Sequence, residues 1–144
     1  MHLDLFLSLP MKYKQTLKLR CKIFSFDNIY KARCNLILDT GASTTSIIRR
    51  LIVNELKYTN IEKGKTKKRT ATGIAYLDAA TISKIEIDGE FAVPDLKIDI
   101  LNWEDSEIDG VIGMDILSKL YFYSDTKTFT LGSTPFEDVK MGDV

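Results

Sequence analysis

Residues 36–45, LILDTGASTT, carry a run of aliphatic side chains straight into an aspartate. Aspartate is among the residues least willing to be buried without a partner, so either the strand ends at Asp39 by accident or its carboxylate is held at depth. The glycine that follows Asp39 and Thr40 permits a sharp turn at the strand end and lets another backbone approach. In such a turn the carboxylate can accept hydrogen bonds from backbone N–H groups and from the Thr40 or Ser43 hydroxyls, which is how a buried carboxylate stays ionised. Residues 108–117, IDGVIGMDIL, have a related grammar: glycine, two aliphatics, glycine, and the start of a short helix. A chain with two such glycine-closed elements has to bring backbones close together at both.

Between and around them the pattern is that of strands. TLKLRCKIF alternates, with Leu17, Leu19, Cys21 and Ile23 on one face and Lys18, Arg20 and Lys22 on the other. FDNIYK supplies turn chemistry and ARCNLIL returns, a hairpin that sets Cys21 opposite Cys34 if it is centred between Asp27 and Asn28. Asp88-Gly89, between SKIEI and EFAV, is a two-residue hairpin signal because the glycine accepts the positive φ of a primed turn. Gly73 marks a weaker turn. TTSII reads as a short strand, and RRLIVNELKY as a helix with Leu51, Ile52, Glu55 and Leu56 at helical spacing. GMDILSKL reads as a second short helix burying Ile116, Leu117 and Leu120, and YFYSDTKTFTLG as a final hairpin around Asp125-Thr126-Lys127. The architecture expected is mostly β, with one or two short helices.

The chain's size and charge narrow the function classes. At 144 residues one domain is the simplest expectation, and 20 basic side chains against 20 acidic ones exert no general pull toward nucleic acid or an anionic membrane. Lys63, Lys65, Lys67, Lys68 and Arg69 form one short basic run with no matching stretch elsewhere, which favours a solvated loop or edge strand over a nucleic-acid patch. No apolar run is long enough to span a bilayer and the first residues lack a signal-peptide pattern, so the expected location is cytoplasmic. There, two cysteines read as small buried apolar side chains. A single histidine, His2, argues against a histidine-based metal site or a serine-histidine triad. Asp109 and Asp115 lie beside glycine turns, where aspartate bonds its local backbone. WEDSEIDG is an acidic loop that serves either as a rim or as solvated surface, and Glu104, Asp105 and Glu107 lack the ligand spacing of an EF-hand.

ILDTGASTTSI, TATGIA and IDGVIGMDIL together resemble the single-domain retropepsin-like aspartic proteases of the cellular type. The resemblance spans residues 16–133, leaving 1–15 as an N-terminal extension and 134–144 as a C-terminal tail. It implies a closed acid-protease barrel in which Asp39, Thr40 and Gly41 form the catalytic loop and Val111, Ile112 and Gly113 thread beneath it. The implied activity is that of an aspartic endopeptidase acting on an extended peptide without a cofactor or metal. Ser43 would bond near the outer carboxylate oxygen. Thr72, Gly73 and Ile74 would form the tip of a flap, with Ile74, Tyr76 and Ile112 lining side-chain pockets. The chemistry needs two carboxylates sharing a proton, whereas this chain has a single Asp-Thr-Gly, so the resemblance implies a homodimer. The alternative is a catalytically weak or inactive module of the same fold that dimerises or binds peptides.

The sequence departs from viral members of that family at two linked positions. Those members commonly place an aspartate two residues after the catalytic-loop glycine and an arginine after the later glycine, and the two pair. Here the positions hold Ser43 and Met114, so both partners are replaced together and no orphan charge is left.

Overall fold

The computed structural model describes residues 6–10, 17–102, 107–124 and 128–132. Ten strands form two sheets. Strands β2 (Lys18–Phe24), β3 (Lys31–Leu38), β4 (Ser46–Ile48), β5 (Glu62–Thr70), β6 (Gly73–Ile87), β7 (Phe91–Leu101) and β8 (Gly110–Ile112) build the larger one in the order β2-β3-β8-β4-β7-β6-β5. A further pairing of β2 with β6 closes six of these into a barrel and leaves β5 at its edge. Closure removes the free edges of β2 and β6, the usual hazard of an open sheet.

The alternation read from the sequence is present in the packing. Leu19, Cys21 and Ile23 of β2 and Ala32, Cys34 and Leu36 of β3 are buried, and the polar residues between them point outward. Cys21 is paired with Cys34 across the hairpin, and both thiols are free. Their burial pushes Cys21 up to about 12 and Cys34 well above its ordinary value. Asp88 and Gly89 both take positive φ, as a primed turn requires, and Glu90 N–H closes the turn on the Ile87 carbonyl at 3.0 Å. The barrel interior is filled mainly by Ile and Leu, with Ile82, Ile85, Ile98 and Ile100 fully enclosed.

The helices are shorter than the sequence suggests. Leu51–Glu55 forms one π-helical turn that buries Leu51, Ile52 and the following Leu56 while Glu55 faces solvent, and α1 spans only Met114–Leu117. The basic run becomes β5, an edge strand.

β1 (Phe6–Pro10) changes the expected domain boundary. It pairs antiparallel with β10 (Thr128–Gly132), which pairs with β9 (Tyr121–Ser124) in a separate three-stranded sheet. Part of the stretch read as an extension is therefore integral to the fold; alternation over five residues at a chain end carries too little signal to predict a partner that lies at the other end. The tip of the β9–β10 hairpin, 125–127, and most of the acidic loop, 103–106, lie outside the described residues, as does the tail. Among the described residues no helix is long and apolar enough to cross a membrane.

Candidate active site

β8 runs between β3 and β4, parallel to the first and antiparallel to the second. Asp39 follows directly on β3, and its N–H continues that ladder by donating to the Ile112 carbonyl at 3.0 Å. The chain then turns within itself: Gly41 N–H donates to Oδ1 of Asp39 at 2.9 Å and Ala42 N–H to the Asp39 carbonyl at 3.2 Å. A Cβ on Gly41 would stand 3.2 Å from that same Oδ1, so any larger residue would crowd the carboxylate it supports. Asp39, Thr40, Gly41 and Ser43 are all exposed. The carboxylate is thus anchored through its backbone and one oxygen, and in the single chain it faces solvent instead of being held at depth.

The second glycine element cradles this loop from below. Met114 N–H donates to the Ala42 carbonyl at 2.7 Å and Asp115 N–H to the Ser43 carbonyl at 3.2 Å. Gly113 leaves no room for a side chain, since a Cβ there would lie 2.8 Å from both the Ala42 oxygen and the Thr44 carbonyl carbon. Gly110 is as tight, with φ +157° and an added Cβ only 2.1 Å from the Ser46 oxygen. These contacts explain the spacing Gly110-Val-Ile-Gly113: two aliphatics form the strand, and each glycine lets a neighbouring backbone in.

Thr45 and Asp115 complete the cradle. The Thr45 hydroxyl donates to Oδ1 of Asp115 at 2.7 Å and accepts the Gly113 N–H at 3.1 Å, while Thr45 N–H reaches Oδ2 of Asp115 at 2.9 Å. Ile116 N–H adds a bond to Oδ1 at 2.9 Å. Thr45 is fully buried and has every polar group satisfied, including its carbonyl, which takes the Asp99 N–H at 3.0 Å. Ser43 and Met114 therefore lack a charged pair, and the link between the two glycine elements runs through their backbones and through Thr45 and Asp115. Asp115 has the local role expected of it, extended by a partner 70 positions away. Thr45 was not distinguishable in the sequence from Thr44, since only the fold turns one inward. Asp109 is also structural: its Oδ2 accepts the Asn35 N–H at 2.8 Å and Oδ1 lies 3.6 Å from Arg50.

The β5–β6 hairpin carries the other expected residues. Thr70 pairs with Gly73, so Ala71 and Thr72 form the turn, and Gly73 takes φ +137°. Thr72, Gly73, Ile74 and Tyr76 are exposed, Ile74 at 54% and Tyr76 at 64%. The register places Ile74 beside Arg69 and Tyr76 beside Lys67, on the face opposite Lys68. Ile112 requires a correction. It is fully buried in the core, so it supports the loop from inside and cannot line a pocket; Val111, whose side chain points the other way, is partly exposed.

The aspartyl protease family profile matches residues 25–116, from the turn of the first hairpin to α1. The chain belongs to the aspartyl protease family. Its structure is similar to that of a retropepsin-like aspartic protease from Rickettsia conorii, with a TM-score of 0.67 and 18% identity over 90% of this chain and 91% of that one. It is also similar to EIAV protease, solved in complex with the inhibitor HBY-793, with a TM-score of 0.54 and 18% identity over 76% of this chain and 92% of that one. At such identities the likeness is one of fold, and the fold of this family member is retropepsin-like. No curated protein matches the chain.

Proposed function

We propose that this family member is an active aspartic endopeptidase that works as a homodimer. The observation that carries the reading is the solvent-facing Asp39 carboxylate on a loop anchored through the backbone of Asp39, Ala42 and Ser43. One carboxylate cannot serve as base and acid at once. Two of them about 3 Å apart share a proton, because like charges at that distance do not both ionise. A two-fold axis beside the loop brings Asp39 to its own copy and supplies the pair.

In that dimer the ionised Asp39 takes a proton from a water held between the two side chains, and the protonated one gives its proton to the peptide carbonyl oxygen as the hydroxide adds to carbon. Collapse of the resulting diol breaks the C–N bond, with a proton passing to the leaving nitrogen. The pair titrates as one coupled system. Thr40 reaches across the axis to tie the two loops, Gly41 keeps the carboxylate uncrowded, and Ser43 bonds near its outer oxygen. Thr72, Gly73 and Ile74 form the flap tip over an extended peptide, with Ile74, Tyr76 and Val111 meeting its side chains.

Asp39→Asn is the deciding variant: peptide hydrolysis should fall by about 10³-fold or more, with the dimer intact. Cleavage at the parent rate would sink the assignment of Asp39. Sedimentation across a concentration series should show activity rising with dimer, and an active monomer would contradict the shared site.

A further inference from the structure

Five of the chain's cations fall within residues 63–69, and four of them, Lys63, Lys65, Lys67 and Arg69, face outward as the alternation of an edge strand dictates. Lys68 turns the other way. Only 27% of its side chain is exposed, and its Nζ stands 2.9 Å from Oδ2 of Asp99. Asp99 is 1% exposed, and among the described residues it is the only buried one that carries charge. The ammonium approaches Oδ2 at ion-pair distance but off hydrogen-bond direction, and among the described residues no other donor reaches that oxygen. Lys68 is therefore what compensates the burial of this carboxylate, and without it the charge would stand alone in a low-dielectric setting.

The position of Asp99 gives the pair a mechanical meaning. Asp99 lies on β7 between Ser46 of β4 and Ala79 of β6, and its N–H is bonded to the carbonyl of Thr45, the residue that joins the two glycine elements of the catalytic loop. Lys68 sits two positions before the Thr70–Gly73 pair that closes the hairpin. One side chain thus ties the arm nearest the tip to the scaffold of the loop. Other ion pairs lie toward the hairpin's base, where Asp78 takes the Gly64 N–H at 2.8 Å and Arg49 at 2.6 Å, with Lys63 at 3.6 Å, and where Glu62 meets Lys97 of β7 at 2.6 Å.

We propose that Lys68 is the positioning residue of the flap: its ion pair with buried Asp99 holds the tip-proximal arm down in the closed geometry, and lifting the hairpin breaks the pair. The inference rests on reading this hairpin as the flap of an aspartic protease. Opening exposes Asp99 to water and closing reforms the pair, so Lys68 sets the balance between the two states. A weaker latch lowers the closed population in the free enzyme, and substrate binding must then supply the difference; the loss appears in KM, with kcat nearly kept once the peptide is bound.

A nitroxide on Ala71→Cys reads the tip directly, since the buried Cys21 and Cys34 thiols are poorly reactive. In Lys68→Met the label should become more mobile and KM should rise by about tenfold with kcat within about twofold. Lys68→Arg, which keeps the cation, should stay near the parent. Lys68→Met/Asp99→Asn removes the orphan charge, so its thermal midpoint should recover while label mobility and KM do not. Recovery of all three together would mean a merely structural pair and would overturn the proposal, as would an unchanged label in Lys68→Met. A parent that cleaves no peptide while its label still responds to Lys68→Met defeats the protease reading and with it the role in turnover; a cleaving parent whose KM ignores Lys68→Met defeats the positioning role alone.

Discussion

The Asp39 loop and the β5–β6 hairpin are made of opposite materials. The loop is held by backbone: Asp39, Ala42, Ser43 and Gly113 are each bonded through main-chain atoms, two glycines admit neighbouring strands at contact distance, and Thr45 bonds Asp115 through both its hydroxyl and its N–H. The hairpin is held by charge: Lys68 on Asp99, and Arg49 and Lys63 on Asp78, with the remaining cations and the apolar Ile74 and Tyr76 turned to solvent. Backbone interlocking has one arrangement and fails all at once, whereas ion pairs part and reform without unfolding their strands. The proposed endopeptidase site, which has to keep a carboxylate in register and also admit a peptide, calls for both.

Substitutions at these two regions should therefore differ in kind, and the largest effect belongs to the loop. Gly113→Ala drives a methyl group into the Ala42 and Thr44 backbones and should cost about 3 kcal/mol or more, read as a fall in the urea midpoint or a failure to fold. A loss below about 1 kcal/mol would show that the cradle yields and would erase the contrast. Next, Asp115→Ala strands the Thr45 hydroxyl proton and the Thr45 N–H, while the Ile116 N–H keeps the Gly113 carbonyl at 3.2 Å, and about 2–3 kcal/mol of stability should go with the two lost partners.

At the hairpin base the expected effect is smaller and depends on pH. The Gly64 N–H, then the Arg49 guanidinium and Lys63, hold the Asp78 carboxyl below its ordinary value. A carboxyl with a depressed folded value stabilises the native state above its unfolded value, and that contribution is lost as pH falls through the folded one. Asp78→Asn should accordingly lower stability near neutral pH and flatten the decline below about pH 4, as followed by thermal melts across an acid series. The smallest change is expected from Lys65→Gln/Lys67→Gln on the solvent face of β5, which should leave stability within about 0.5 kcal/mol of the parent. A larger loss there would mean that the outward cations also hold the hairpin.

Legibility in the sequence follows the same division. The first hairpin, its Cys21–Cys34 register and the Asp88-Gly89 turn were readable because period-two alternation and positive-φ residues are local signals. Gly41 was readable for the same reason, since it answers a steric demand within its own few residues, whereas Gly110 and Gly113 answer the Ser46, Ala42 and Thr44 backbones tens of positions away. Ile112 was misplaced because an apolar pair, Val111-Ile112, does not declare which member faces the barrel. The inward turn of Lys68 was hidden in a run where every neighbour is charged, and Gly64, with φ +58° inside a register shift between Glu62 and Thr66, further masks the alternation.

Taken alone, the amino-acid order determined that the chain is mostly β, where its tight turns fall, and that Asp39 ends a strand at a glycine turn, since these depend on side-chain alternation and on backbone freedom at single positions. The tertiary structure decided which strands adjoin, that β1 joins β10, that Thr45 meets Asp115 and that Lys68 meets Asp99. Such pairings link residues tens of positions apart, and the one between Thr45 and Asp115 depends on how β8 enters between β3 and β4, a choice that no short stretch of sequence encodes.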